Sequence, residues 1–260
     1  MNSFKAWVTT FLLVLVLVPA AASATGIEAA AGVWNQRPNG DFSYKPVSAL
    51  DDLNVRNDLN YNDRLRVSGR IKIETPLFFP NVYLMATPMN FSGTGSKNAT
   101  FQFGDTTFNG NVPFNSQLRL DHYDLALYYA IPGLKKATGS HLNVEIGVDA
   151  RLFDLKASVT GTDGGGSVMT QSKTLVAPVP LLYVGFQVKP VKWFALEGEA
   201  RGVTYGANHY YDIVGRAKFK PYGPIFAASG YRYEKLDMDI DDIKAHVSFG
   251  GPFGEVGVEF

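Results

Sequence analysis

The stretch Gly254-Glu255-Val256-Gly257-Val258-Glu259-Phe260 decides how the rest of the chain is read. As an extended strand it sends Val256, Val258 and Phe260 to one face and Glu255, Gly257 and Glu259 to the other, because successive side chains point to opposite sides. One face suits an apolar medium and the other suits charge. In a soluble domain this alternation marks a half-buried edge strand; in a secreted chain it marks a strand with one side to lipid.

The opposite end of the chain selects between those readings. Lys5 precedes an apolar run from Phe11 to Val18, Pro19 ends it, and Ala22-Ser23-Ala24 offers a small-residue cleavage site, so 1–24 reads as a secretory signal peptide. A spanning helix needs about 20 apolar residues, and neither this run nor any later stretch provides them. If 25–260 lies in a membrane, it must be a closed sheet, the other structure that satisfies every backbone group in lipid.

Composition narrows the chemistry. There is no cysteine, which removes disulfides, thiolate metal sites and cysteine nucleophiles together. Lys+Arg 24 against Asp+Glu 24 gives no argument for nucleic acid. The Gly164-Gly165-Gly166 run lacks the Gly-Lys-Ser/Thr of a phosphate loop and reads as a flexible tip. No cofactor is expected.

Two-faced strands recur along the chain. Leu65, Val67, Gly69, Ile71 and Ile73 oppose Arg66, Ser68, Arg70, Lys72 and Glu74; Leu142, Val144, Ile146, Val148 and Ala150 oppose Asn143, Glu145, Gly147, Asp149 and Arg151. Leu182 to Lys189, Phe194 to Arg201, Tyr211 to Phe219 and Tyr231 to Glu234 repeat the pattern. A first strand from Ile27 ends in Trp34, expected at the membrane interface, and 35–62 reads as a long polar outer loop. A third strand, 82–91, is interrupted by Pro88 and its facing is open. The region 92–115 reads as a second outer loop with a hairpin through Phe101-Gln102-Phe103.

In the last strand Ile243, Ala245, Val247 and Phe249 are odd-numbered whereas Val256, Val258 and Phe260 are even-numbered. Keeping both sets on lipid requires a bulge at Gly250-Gly251-Pro252. The expected fold is therefore all-β: a transmembrane antiparallel up-and-down barrel over 25–260, with ten strands, eight or twelve as alternatives, and both termini periplasmic. A soluble ligand-binding barrel is the competing fold.

The order Gly32-Val33-Trp34 with Gly40, Pro180-Leu181-Leu182-Tyr183, Gly230-Tyr231-Arg232, an acidic tip at 237–242, Gly251-Pro252 and a terminal Phe260 resembles an uncharacterised family of Gram-negative outer-membrane β-barrel proteins. The resemblance covers essentially the whole mature chain. It implies an outer-membrane address, with lipid and lipopolysaccharide as surroundings, and it implies no catalytic residues. Val256, Val258 and Phe260 resemble the closing signal read by the barrel-assembly machinery.

The expected inner face carries Arg66, Arg70, Lys72, Arg151, Arg201, Arg216, Lys218 and Arg232 opposite Glu28, Glu74, Asp124, Glu145, Asp149, Glu197, Glu199, Glu234, Glu255 and Glu259. In so narrow a barrel, mixed charges meet across the lumen as an ion-pair network. That favours a plugged lumen with a structural or surface-binding role over a narrow channel for small solutes, since a selective pore shows one dominant sign. A third reading, an outer-membrane hydrolase of the protease or lipid A deacylase type, would draw on His122, His209 and His246, with His246 facing the lumen; His141 sits beside an inner turn. Asp121 cannot orient His122, because neighbours in a strand face opposite sides. The aspartates of the tip, Asp237, Asp239, Asp241 and Asp242, match no calcium loop, and no metal is expected.

Overall fold

The structure is a computed structural model and describes residues 26–76, 79–240 and 242–260. The expected signal peptide and Asp241 of the acidic tip lie outside the described residues. Ten strands build the wall: β1 Ile27–Tyr44, β2 Arg64–Ile73, β3 in two pieces, Asn81–Thr87 and Asn90–Gly95, β4 Phe114–Ala130, β5 Leu142–Thr162, β6 Val168–Val191, β7 Phe194–Tyr205, β8 Asn208–Tyr222, β9 Ile225–Ile240 and β10 Ile243–Glu259. Each pairs antiparallel with the next, and β10 pairs back to β1, so the sheet closes into a barrel. No helix among the described residues is long and apolar enough to cross a membrane. A closed sheet with an apolar outside is the architecture of outer-membrane barrels, and in fold the chain is one.

Residues 26 and 260 share one end, the terminal end, with the connections 74–80, 131–141, 192–193 and 223–224. The other, the loop end, holds 45–63 and 96–113 and the tight turns 163–167 and 206–207. Side chains keep one parity along each strand, but what that parity carries changes halfway up. On β5 the inward residues are Asn143, Glu145, Asp149 and Arg151 near the terminal end, then Leu155, Ala157 and Val159. Its outward residues run from Ile146 and Val148 to Asp154, Lys156 and Ser158. β4 does the same: Tyr123, Leu125, Leu127 and Tyr129 face out near the terminal end, whereas Phe114, Leu118 and Leu120 face in above. The lower storey has charge inside and hydrocarbon outside; the upper storey reverses this.

The reversal corrects four expectations. No bulge lies at Gly250-Gly251-Pro252: the register of β10 against β9 is unbroken from Val258 to Ile243. Against β1 the ladder skips Asn35 and Gln36 without shifting. Ile243, Ala245, Val247 and Phe249 point inward and are buried, because above the membrane the apolar face belongs in a core. β1 runs to Tyr44 rather than stopping near Trp34, so the first loop is 45–63. Trp34 is not interfacial: it shares the inward parity of Glu28 and Ala30, is 1% exposed, and lies under the Arg232 guanidinium at 4.7 Å. His246, expected to face the lumen, is on the outward face with its side chain 64% exposed.

The upper storey is filled by its own loops. Leu53, Val55, Leu59 and Tyr61 of 45–63, and Phe101, Phe103 and Phe108 of a hairpin pairing Phe101–Phe103 with Thr106–Phe108, pack on Phe42, Phe91, Leu118, Val159 and Phe249. Asp51 ties the two loops together: one carboxylate oxygen accepts from the Val47 and Ser48 N–H groups at 2.8 and 2.7 Å, and the other accepts from Gln102 N–H at 2.7 Å. Asp51 is 3% exposed. Burial works to raise its carboxyl pKa, but the N–H groups of Gln102, Ser48 and Val47 outweigh that and hold it below the usual value.

β3 settles the open facing: Met85 points in and Leu84 out. Above its break at Pro88, β3 pairs with β4 and leaves β2, and the seam is closed by side chains. Gln36, Arg66 and Arg64 donate to the carbonyls of Pro88, Asn90 and Ser92 at 2.9, 2.7 and 3.4 Å.

Candidate functional site

The inward charges of the lower storey form three layers that cross the lumen. Nearest the terminal end, Lys218 of β8 meets Glu28 of β1 at 2.7 Å and Glu259 of β10 at 2.6 Å. At the same level Lys72 of β2 meets Glu145 of β5 at 3.0 Å and the Tyr183 hydroxyl at 3.1 Å. The rings of Tyr83, Tyr128 and Tyr183 surround that ammonium at 4.9, 5.5 and 5.8 Å. Gly185 makes the cluster possible, since a Cβ there would stand 2.8 Å from both Glu145 Oε2 and the Tyr183 hydroxyl.

In the middle layer Arg70 pairs with Glu255 at 2.7 Å and with Glu28, while Arg216 bonds Glu199 and Glu255. Arg201 takes Asp149 at 3.0 Å and Glu199 at 3.1 Å between the rings of Tyr83 and Tyr183. Glu197 stands beside Arg216 and Lys218 at 3.7 and 3.6 Å.

The third layer lies where the storeys meet. Arg151 bonds Asp124, the Tyr210 hydroxyl and, at 2.8 Å, Asp212. Arg232 bonds Asp212 at 2.8 Å and Thr87 at 3.0 Å and also pairs with Glu234. Asp212 is the centre of this layer. It was not counted among the charges of the expected inner-face network; its alternation with Tyr211 and Ile213 was the available signal. The lumen tyrosines and Trp34 were not expected in the network because only charged residues were counted in it, and nothing in one strand reveals a cation on another.

Not every expected member joins. Arg66 is set apart in the β2–β3 seam, and Glu74 is at the terminal rim, paired with Lys135 at 2.9 Å. Of the histidines, His122 is fully buried beside the third layer. Its Nδ1 is 3.2 Å from the Leu120 carbonyl and its Nε2 is 3.2 Å from Arg232 Nη2. The same Nε2 is 3.3 Å from Glu234 Oε1, so both ring nitrogens are engaged within the layer. His209 and His246 flank Asp237 in register on the outward face, and His246 Nδ1 is 3.2 Å from Asp237 Oδ1. The three histidines are not brought into one constellation. Asp237 is also bonded by Lys235 at 2.7 Å, and no group of metal-binding side chains occurs among the described residues.

Among the described residues, a wide-open hollow of about 440 Å³ lies between the two loops at Asn57, Asp58 and Lys97, and three smaller cavities along the lumen share no lining residue. One of about 120 Å³ opens at the terminal mouth among Glu28, Lys72, Glu145, Gln187 and Glu259. One of about 30 Å³ lies below Trp34 and Arg232, and one of about 10 Å³ lies beside His122 and Phe153. Neither His209 nor His246 lines any of them.

No protein-family model matches the chain, and no curated relative matches it. Among solved structures it is similar to the translocator domain of the autotransporter NalP from Neisseria meningitidis, at 11% identity and a TM-score of 0.43 over 100% of this chain and 97% of that one. It is also similar to Ail, the attachment invasion locus protein of Yersinia pestis, in complex with the heparin analogue sucrose octasulfate, at 10% identity and a TM-score of 0.37 over 91% and 99%. The Pseudomonas putida toluene transporter TodX matches at 10% identity and a TM-score of 0.28 over 94% and 92%.

Proposed function

We propose that the chain is an integral outer-membrane barrel with a closed lumen and a structural or surface-binding role. In this reading 1–24 is a removed leader, the terminal end faces the periplasm and the loop end faces outward. The observation that carries it is the continuity of the filling: three ion-pair layers below, an apolar core above, and cavities of about 120, 30 and 10 Å³ with no common lining. A conducting path would have to break several buried pairs at once, each of which leaves an uncompensated charge. The mixed signs also argue against a selective channel.

The outward belt of Leu125, Ile146, Val184, Ile213 and Val256 supports contact with lipid, and the girdle of Tyr123, Tyr231 and Tyr233 suits its outer boundary. Outward Val256 and exposed Phe260 are available for recognition during assembly. Planar-bilayer recording of the purified full chain tests the reading. The expected trace is flat at all voltages; steady unitary currents would favour the channel instead.

A further inference from the structure

Among the described residues, one side of β6 has no paired strand above the membrane. β6 pairs with β5 along its whole length, from Val168↔Thr162 to Val188↔Leu142, but its ladder with β7 begins only at Leu182↔Gly202. β7 ends at Tyr205, and its last residues pair with β8. The part of β6 above Leu182 is therefore a sheet edge, and Val168, Thr170, Ser172, Thr174 and Val176 on it are exposed.

Two prolines reveal which backbone groups this edge presents. In an antiparallel strand each residue sends its N–H and C=O to the same side, alternating along the chain. Pro178 and Pro180 have no N–H to give, so the even positions are those not bonded to β5. Lys189 N–H, at an odd position, donates to the His141 carbonyl on the β5 side at 2.8 Å, as the same parity requires. The N–H and C=O groups of Thr170, Ser172, Thr174 and Val176 therefore point away from β5, where no strand lies. The prolines account for the break with β7, and above them nothing guards the edge.

Free edges are ordinarily blunted by charge, proline, bulges or a covering loop. From Val168 to Val176, about 26 Å at 3.3 Å per residue, the edge is rich in β-branched residues and, among the described residues, has none of these on its outward face. Lys156, outward and in register with Thr174, has no carboxylate partner among the described residues and offers the edge a positive charge, whereas Lys173 has the inward parity and lies over the Tyr44 ring at 5.6 Å. The nearby Asp154 is taken by Arg119 at 2.8 Å.

We propose that Val168–Val176 is a docking strand that binds an extended, acidic segment of a partner protein by β-augmentation. The backbone groups of Thr170, Ser172, Thr174 and Val176 supply the pairing, and Lys156, outward and in register with Thr174, selects a carboxylate opposite Thr174. This gives the surface-binding role a partner class and rests on that reading for an outward loop end. Conductance tests the closed lumen and peptide binding tests the edge, so the two fail separately.

The test uses the full chain in detergent with a ten-residue peptide alternating Val and Glu, the same peptide N-methylated at alternate amides, and a Val/Lys counterpart. Amide hydrogen exchange of 168–176 is followed by mass spectrometry, and affinity by fluorescence anisotropy. The acidic peptide should slow exchange in this segment about tenfold and bind about tenfold more tightly than the basic one, and the N-methylated form should do neither. Thr174→Pro should abolish binding yet leave the barrel folded, because its N–H is not bonded to β5 and Pro178 and Pro180 already occupy positions of that kind. Three outcomes would overturn the proposal: no protection, equal protection by the N-methylated peptide, or concentration-dependent protection without peptide, which would make the edge an interface between copies of this chain.

Discussion

Below the Arg232–Asp212 layer the barrel buries charge and exposes hydrocarbon, and above it the same strands bury hydrocarbon and expose charge. Neither parity nor register changes between the two storeys; the surrounding medium does. Where lipid covers the outside, the apolar face must point out, and the narrow inside takes the polar side chains, which must then pair with one another. Where water covers the outside, the same strand turns its apolar face in and recruits two loops to complete a core. The lower storey is held by directed contacts between distant strands, such as Arg70 of β2 with Glu255 of β10. The upper one is held by packing, which is less particular about its partners.

That contrast predicts different responses to damage. In the lower storey, Arg151→Met leaves Asp124 buried without its cation and Asp212 with Arg232 alone, and should cost about 3–5 kcal/mol in urea unfolding of the detergent-folded barrel. Adding Asp124→Asn should return most of it; a double variant as unstable as the single one would mean that the pairing is not what Arg151 contributes. In the upper storey, Phe103, fully buried against Phe42 and Tyr44 at ring distances of 6.0 and 5.7 Å, should lose about 3 kcal/mol as Phe103→Ala. That loss should appear as proteolysis of 96–113 with the heat-modifiable barrel band intact, since the ion-pair layers do not touch it.

A smaller effect comes from one face of one strand. Val256 and Ser248 share the outward parity of β10, but only Val256 belongs to the lipid belt. Val256→Lys should cost about 2–3 kcal/mol in a bilayer, and Ser248→Lys should stay within about 0.5 kcal/mol. Equal costs would show that the membrane boundary does not fall between them.

The same strand marks how far the sequence could be read. Alternation is a local signal, so the barrel, its ten strands and the inward side of Arg70, Glu145, Arg201 and Glu255 were legible from single segments. Alternation does not say which medium lies on either side. Ile243 to Phe249 were therefore assigned to lipid, a bulge was needed to reconcile them with Val256, and β1 was cut short at Trp34. The partners of each charge were also illegible. Glu255 meets Arg70 only because the sheet closes at β1, a contact spanning 185 residues.

The smallest expected effect separates the storeys by pH. Asp51 joins the two plug loops, and its carboxyl is held below its ordinary pKa by the N–H groups that outweigh its burial. A carboxylate whose folded pKa is depressed contributes stability above the unfolded value, about 3.9, and that contribution is lost as pH falls through the folded value. Acidification below about pH 4 should therefore loosen 45–63 and 96–113, with faster amide exchange at Val47, Ser48 and Gln102. Asp51→Asn should reproduce about 1 kcal/mol of that loosening at pH 7 and flatten its acid dependence. If the variant loosens with acid as the parent does, another group joins the loops. If the barrel itself unfolds over the same range, the two storeys are one cooperative unit, and the upper core is not the separable plug that its packing implies.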